Sequence, residues 1–185
     1  MADDAVQRRK VERVARARTP GRVVRIDLGD GRCAYGRRLN GPSVEFYDRV
    51  DAYGESVDLL DLVASRVAFT VWVMDAAFRR GGWELLDVVP LSESERAKVE
   101  HRAKKDPITG ECSIYWTDAV SGNFGEVPAS LEECEYLEVA AVWDAHHVED
   151  RLRDHFDGRP NEWVESMRLS RWPPGNPTPS NHPPC

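Results

Sequence analysis

The chain has 185 residues, of which 41% are hydrophobic and 31% charged, and its net charge at pH 7 is −7. These values are typical of a globular protein, and no apolar run approaches the roughly 18 residues that a membrane-spanning helix requires, so we expect no membrane partner. The N-terminus lacks the hydrophobic segment of a secretory signal, and the four scattered cysteines form no CxxC pair. We therefore expect a cytoplasmic protein without a disulfide framework.

The charge is unevenly distributed along the chain. Residues 1–22 have a net charge of +4, whereas residues 126–157 carry ten carboxylates against Arg151 and Arg153, a net charge of −8. A block of negative charge repels nucleic acid and attracts a basic partner. Such a block is equally often only the solvated face of a helix, and both interpretations stay open.

The composition predicts three regions. We expect a basic helical arm in residues 1–20 and a single α+β domain in residues 21–170. The last fourteen residues contain six prolines, so residues 171–185 are predicted to be a disordered tail.

The first half of the domain has strand patterns. Residues 23–40 contain two alternating runs joined by Asp30-Gly31, and a further turn leads into a third strand through Tyr47, which predicts a β-meander. Ser56 resembles the N-cap of a short helix. The apolar run "VAFTVWVM", residues 67–74, predicts a strand buried on both faces at the centre of the sheet.

The second half mixes strands and helices. Trp83 to Val89 is predicted to be a strand, and Ser92 with Glu95 forms a capping box for a charged helix through Lys104. We predict a hairpin from 112–117 and 123–128, then helices over 144–156 and 161–169, while 136–143 is either a last strand or the approach to a helix. The fold class is thus α+β, a curved and mostly antiparallel sheet with packed helices.

Catalytic motifs are weak in this sequence. His146, His147 and Asp150 are close on the predicted helix, but an HHxxD pattern lacks the glutamate base of HExxH, so we favour surface pairs and predict no metal site. The glycines of "GDGRCAYG" lack the GxxxxGK[ST] pattern, and no GxSxG occurs. We predict no enzyme, catalytic residue or cofactor, with an uncharacterised hydrolase as an alternative.

A nucleic-acid-binding module is the other alternative. The N-terminal arm together with Arg32, Arg37, Arg38 and Tyr35 offers cations for phosphates and a ring for stacking. The net charge of −11 outside residues 1–22 opposes this use, so nucleic acid is not the expected partner.

The hairpin and the strands after it resemble the bacterial immunity protein 26 family, whose members are found beside polymorphic toxins. The resemblance covers about Gly21 to Leu91. It is carried by the Asp30-Gly31 turn, "AYGR", "FYDRV", Phe69 in "FTVWVMDAAFRRGGWELLDVVPL", and Gly82-Trp83 before Pro90-Leu91. Arg38 departs from the aliphatic residue expected after "YGR".

The resemblance implies a small α+β protein that neutralises a cognate toxin by binding it, without catalysis or a cofactor. The motif residues are then mostly framework: Asp30, Gly31, Tyr35, Gly36, Arg37, Phe69, Trp72, Gly82 and Trp83. If the toxin is basic, such as a nuclease, the acidic segment would bind it, and charge and aromatic content single out Glu138, Glu149, Asp150, Asp154, Trp116 and Trp143.

Overall fold

The computed structural model describes residues 18–80 and 82–171, so most of the predicted arm and nearly all of the tail lie outside the described residues. The described strands are β1 Arg22–Asp27, β2 Arg32–Arg38, β3 Ser43–Ala52, β4 Val67–Val73, β5 Glu84–Val88, β6 Val99–Lys105, β7 Cys112–Asp118, β8 Phe124–Ala129 and β9 Val142–Trp143. The described helices are α1 Leu59–Val63, α2 Asp75–Arg80, α3 Glu93–Arg96, α4 Leu131–Cys134, α5 Ala145–Phe156, α6 Glu162–Ser166 and a 3₁₀ turn, Leu169–Arg171. The predicted α+β class is confirmed.

The larger sheet has six strands in the order β5-β1-β2-β3-β4-β9. Its β1-β2-β3 meander is confirmed, and all neighbouring pairs are antiparallel except β4 and β9. The prediction that residues 67–74 lie at the sheet centre is wrong, because β4 has only the two-residue β9 on its outer side. Phe69 and Val71 are buried, whereas Trp72 on the other face is half-buried. The run is apolar because its second face meets the smaller sheet.

Both faces of the larger sheet carry a core. On one face Phe46 and its neighbours pack against Phe78 of α2, Trp83 and the apolar side of α5. On the other face Tyr35 and Tyr47 pack against Leu62 of α1. Helices on both sides therefore hold the meander in place.

Two glycines explain the shape of the meander. Gly31 closes the β1–β2 turn with a φ of +85°, a conformation that L side chains rarely adopt. Gly36 lies where the β2–β3 register shifts, and a Cβ there would be 2.9 Å from the Phe46 ring. The ring of Phe46 thus occupies the space that a side chain at position 36 would need.

The capping box of Ser92 and Glu95 is confirmed, but the predicted helix through Lys104 is wrong. Helix α3 ends at Arg96, and the chain continues as β6, whose seven residues all pair with β7. The pairing of "VEHRAKK" with β7 is a tertiary interaction, and it overrides the helix-forming composition of this segment. Similarly, α1 begins after the N-cap Asp58 rather than Ser56.

The smaller sheet, β6-β7-β8, includes the predicted hairpin of 112–117 and 123–128, which is confirmed. It joins the larger sheet through Glu100, whose carboxylate accepts hydrogen bonds from Ser43 Oγ (2.5 Å) and Trp72 Nε1 (3.0 Å). Arg102 donates to the carbonyl of Thr70 at 2.7 Å. Polar contacts, with the Trp72–Tyr115 ring pair, therefore fix the two sheets to each other.

The C-terminal helices agree with the sequence pattern in position but not always in length. Helix α5 matches the predicted 144–156, whereas α6 has only five residues of the predicted 161–169. Within 136–143 only Val142–Trp143 forms a strand. None of the helices in the described part of the chain has both the length and the apolar character needed to cross a membrane.

Candidate functional site

The arginines of β2 are structural. Arg37 is 3% exposed; its Nε donates to Glu45 at 2.8 Å, and it also pairs with Glu95. Arg38 is 5% exposed and donates to Asp75 at 2.8 Å, with its guanidinium 5.0 Å from the Phe78 ring centroid. Burial and internal carboxylates hold these cations away from solvent. The hairpin is therefore a framework element and presents neither Arg37 nor Arg38 to a phosphate.

The other two hairpin residues of the proposed nucleic-acid surface, Tyr35 and Arg32, are also occupied, whereas residues 1–17 of the arm lie outside the described residues. Tyr35 is fully buried, which raises the pKa of its phenol, and it has no ring face free for stacking a base. Arg32 pairs with Asp30 at 2.5 Å and with Asp157 at 2.9 Å. The geometry of the hairpin thus argues against the nucleic-acid alternative.

The buried arginines of this framework lower the pKa of the carboxylates that pair with them. Burial pushes the pKa of Asp75 upward, but the hydrogen bonds from Arg38 and Arg18 outweigh burial and hold the pKa below its ordinary value. Burial likewise raises the pKa of Glu95, but the Ser92 backbone N–H and Arg37 lower it by more. The pKa of Glu95 therefore lies below its ordinary value. Both carboxylates are thus held in their charged form.

The three carboxylates singled out on α5 each have internal partners. Glu149 accepts from Trp83 Nε1 at 2.8 Å. Asp150 accepts from Arg153 at 2.9 Å and from Trp163 Nε1 at 3.2 Å. Asp154 accepts from Asn161 at 2.9 Å and lies 3.1 Å from Arg159. These acids attach α5 to its surroundings, whatever else they bind.

Glu138 and the two tryptophans lie in different environments. Glu138 forms two hydrogen bonds with Arg151, at 2.5 and 3.1 Å. Trp143 is only 4% exposed and belongs to the main core, so it offers no surface for a partner, and the sequence prediction of an aromatic anchor fails there. Trp116 is half-buried and lies across Gly125 of the neighbouring strand, where a Cβ would approach its ring to 2.8 Å.

Ion pairing reduces the field of the acidic segment. Within the described residues, six of its ten carboxylates have a cationic partner within 4 Å: Glu126, Glu138, Glu149, Asp150, Asp154 and Asp157. Lys104, Arg32 and Arg159 come from outside the segment and compensate part of its net charge of −8, although Arg32 is shared with Asp30. In the same described part, Glu132, Glu133, Glu135 and Asp144 have no cationic partner within that distance, so they carry the uncompensated charge.

A cleft of about 500 Å³ has one of these uncompensated acids, Glu135, in its lining. One wall is formed by residues 134–139 and the other by α6 and the 3₁₀ turn. Tyr136 at its edge is 87% exposed, between Glu135 and the Arg151-bound Glu138. We call this cleft the acidic cleft: Glu135 and Tyr136 line it, and Glu132 lies three residues before Glu135 on α4. Arg168, which pairs with Glu165, also lines it. Tyr136 could not be singled out from the sequence, because "EYLE" has no pattern that separates an exposed ring from a buried one.

A second cluster lies at the N-terminus of α5. The ligating atoms of Asp144, His146 and His147 all lie within 4.8 Å of one another. The sequence paired His146 with Asp150, whereas Asp150 instead bonds Arg153 and Trp163. Asp144 was recognisable from sequence only as the residue preceding the helix.

The comparisons with known proteins give one family. A family model described as Immunity protein 26 matches residues 19–110, about half of the chain, which extends the predicted resemblance of 21–91 through α3 and β6. The family description implies a toxin-immunity role and suggests a non-enzymatic one. Neither the curated proteins nor the solved structures give a match.

Proposed function

We propose that this chain, a member of the Immunity protein 26 family through residues 19–110, provides toxin immunity by binding a cognate protein toxin directly. The interface lies on the C-terminal half and centres on the acidic cleft. The protein acts in the bacterial cytoplasm by covering the active surface of a toxin, and it needs no cofactor. A basic nuclease is the toxin class whose charge fits this surface.

The observation that carries this proposal is the position of Tyr136. A tyrosine ring that is 87% exposed, next to a cleft and flanked by acids, matches the aromatic residues that dominate protein interfaces. In contrast, Arg37 and Arg38 of the hairpin, within the matched region, form internal ion pairs. Recognition therefore falls to the part of the chain beyond the framework.

Charge supplies the second argument. Glu132 and Glu135 have no cationic partner among the described residues, so their charges are available to attract an approaching basic protein. The one arginine in the cleft lining, Arg168, is paired with Glu165. Glu138, Asp150 and Asp154 are already paired, so they contribute less to long-range attraction and act at the rim. Trp116 would extend the interface if the toxin also covers the outer face of β7.

The test measures protection and binding with the toxin encoded beside this gene. Tyr136→Ala is expected to weaken binding by about 30-fold, the effect of a 2 kcal/mol hot spot. The pair Glu132→Gln and Glu135→Gln is expected to slow association at low salt, where the screening length is about 30 Å, and much less at 0.15 M salt, where it is about 8 Å.

A matched control removes the same charge elsewhere. Glu55→Gln with Asp61→Asn changes two exposed acids at and near α1, on the opposite face of the larger sheet from α5. This double variant should retain wild-type association and should still protect cells. If it slowed association as much as the cleft variant, only net charge would matter and the acidic cleft would not be the interface.

A further inference from the structure

We infer that Asp144, His146 and His147 form a binding site for a divalent transition-metal ion of the zinc type. The site lies at the first turn of α5 and is distinct from the acidic cleft. It does not depend on the proposed toxin interface. The three side chains supply two imidazole nitrogens and one carboxylate oxygen, a ligand set that suits zinc, nickel or cobalt.

Local helix geometry brings the ligands together. Asp144 is the N-cap of α5 and His147 is the third residue of the helix, the two positions whose side chains meet in a capping box. His146 lies between them, and its ring centroid is 3.9 Å from that of His147. All three ligating atoms thus fall within 4.8 Å of one another on one short segment.

The three side chains are also unengaged. Asp144 makes no side-chain cap hydrogen bond, although aspartate is among the residues preferred at an N-cap for that bond. Over the described residues, neither the Asp144 carboxylate nor the two imidazole rings take part in a hydrogen bond or ion pair. Every other carboxylate of α5 is bound to an arginine, an asparagine or a tryptophan. This cluster is therefore the part of α5 whose side-chain N and O atoms are available to bind a metal ion.

The distances fit a metal after small side-chain rotations. Zinc bonds of about 2.0–2.2 Å place tetrahedral ligand atoms roughly 3.4 Å apart. His147 is supported for this purpose, because its ring packs 4.0 Å from that of Trp163, whose Nε1 donates to Asp150. A fourth position would remain open to water or to a ligand from another molecule.

Cation binding at this site depends on the negative charge of Asp144. The N-terminus of a helix carries partial positive charge and disfavours a cation, so two neutral imidazoles alone would bind weakly there. The Asp144 carboxylate offsets that charge. Asp144→Asn retains a good N-cap residue but removes the negative charge, and it separates metal binding from helix capping.

The experiment titrates the purified full-length protein with zinc and cobalt(II) by calorimetry and absorption. We expect one site whose affinity falls by more than tenfold in His147→Ala, His146→Ala and Asp144→Asn, since even outer-sphere changes cost 10–100-fold. His101→Ala removes an exposed histidine on β6 and should leave the affinity unchanged. Cobalt bound here should show no thiolate charge-transfer band.

Tryptophan fluorescence gives an independent readout. Nickel or cobalt at this site should quench Trp163, which contacts His147, and Trp163→Phe should remove most of the quenching while calorimetry still detects the ion. Circular dichroism of each variant confirms folding. The inference is overturned if the histidine and Asp144 variants bind as the wild type does, or if thiolate bands show that cysteines hold the metal.

Discussion

The guanidinium of Arg151 lies 3.9 Å from the centroid of the Phe69 ring, which attaches α5 to β4. The same guanidinium donates twice to Glu138 and lies 5.1 Å from the ring of Trp143. One side chain thus joins the family-matched sheet to a wall of the acidic cleft. This contact adds to the core packing and polar contacts that position the C-terminal half, because β9 has only two residues and offers little strand pairing.

We predict that Arg151→Lys lowers the free energy of unfolding by about 1–2 kcal/mol. Lysine keeps the charge but loses the planar fork and the stacked contact with Phe69. Urea denaturation measures the change, and Glu138→Gln completes a double-mutant cycle. Additive effects of the two substitutions would show that Arg151 and Glu138 do not act as a unit.

Gly36→Ala is expected to destabilise the protein by about 1–3 kcal/mol, because the new Cβ would overlap the Phe46 ring at 2.9 Å. The denaturation midpoint reports the loss. In a Phe46→Leu background, Gly36→Ala should destabilise the protein less than it does when Phe46 is present. An unchanged midpoint in Gly36→Ala alone would contradict the close approach.

The ion pair of Asp75 with Arg38 predicts how the stability of the protein changes at acid pH. Its pKa in the folded protein is below the ordinary 3.8, so between the two values the unfolded chain binds the proton more readily. The stabilisation is therefore complete well above pH 3.8 and is lost as the pH falls through the lower, folded-state value. Asp75→Asn should be less stable than wild type at pH 7, and the difference should shrink below about pH 3.8. A constant difference across this range would argue against the pairing with Arg38.

Paired and unpaired carboxylates should respond differently to neutralisation. Replacing Glu149, Asp150 and Asp154 with their amides is expected to lower stability, since each acid holds a neighbouring side chain, and to slow toxin association only slightly. Glu132→Gln with Glu135→Gln should leave stability within about 0.5 kcal/mol of wild type. Melting curves and association rates, measured on the same samples, separate the two effects. The reverse pattern would place the interface on α5.

Local signals explain which parts of the fold were predictable. The meander follows from alternation and from turn residues such as Asp30 and Gly31, which act within a few positions of the chain. The length of α3 was not predictable, because β6 is stabilised by β7, a partner that follows in the chain. The place of β4 near the sheet edge was equally hidden, since a strand covered by a second sheet has the same apolar composition as a central one.

The acidic segment can be recognised from the sequence, but the pairing of its charges cannot. The net charge of residues 126–157 follows from composition alone, and its use as a binding surface stays a prediction. The sequence could not show that Lys104 and Arg159 neutralise part of that charge, since these pairs depend on the folded arrangement. The same limit applies to Trp143, whose apolar pattern is common to a buried ring and an exposed anchor.

The family match ends at residue 110, in the turn between β6 and β7. A chimaera joined at that point would separate two strands that pair along their full length, and it would leave β6 with an open edge. A graft that exchanges specificity between related proteins should therefore carry β6, β7 and β8 as one block and be spliced before α3. Because Glu95 of α3 pairs with the buried Arg37 of the recipient framework, the donor segment must bring a carboxylate to that position.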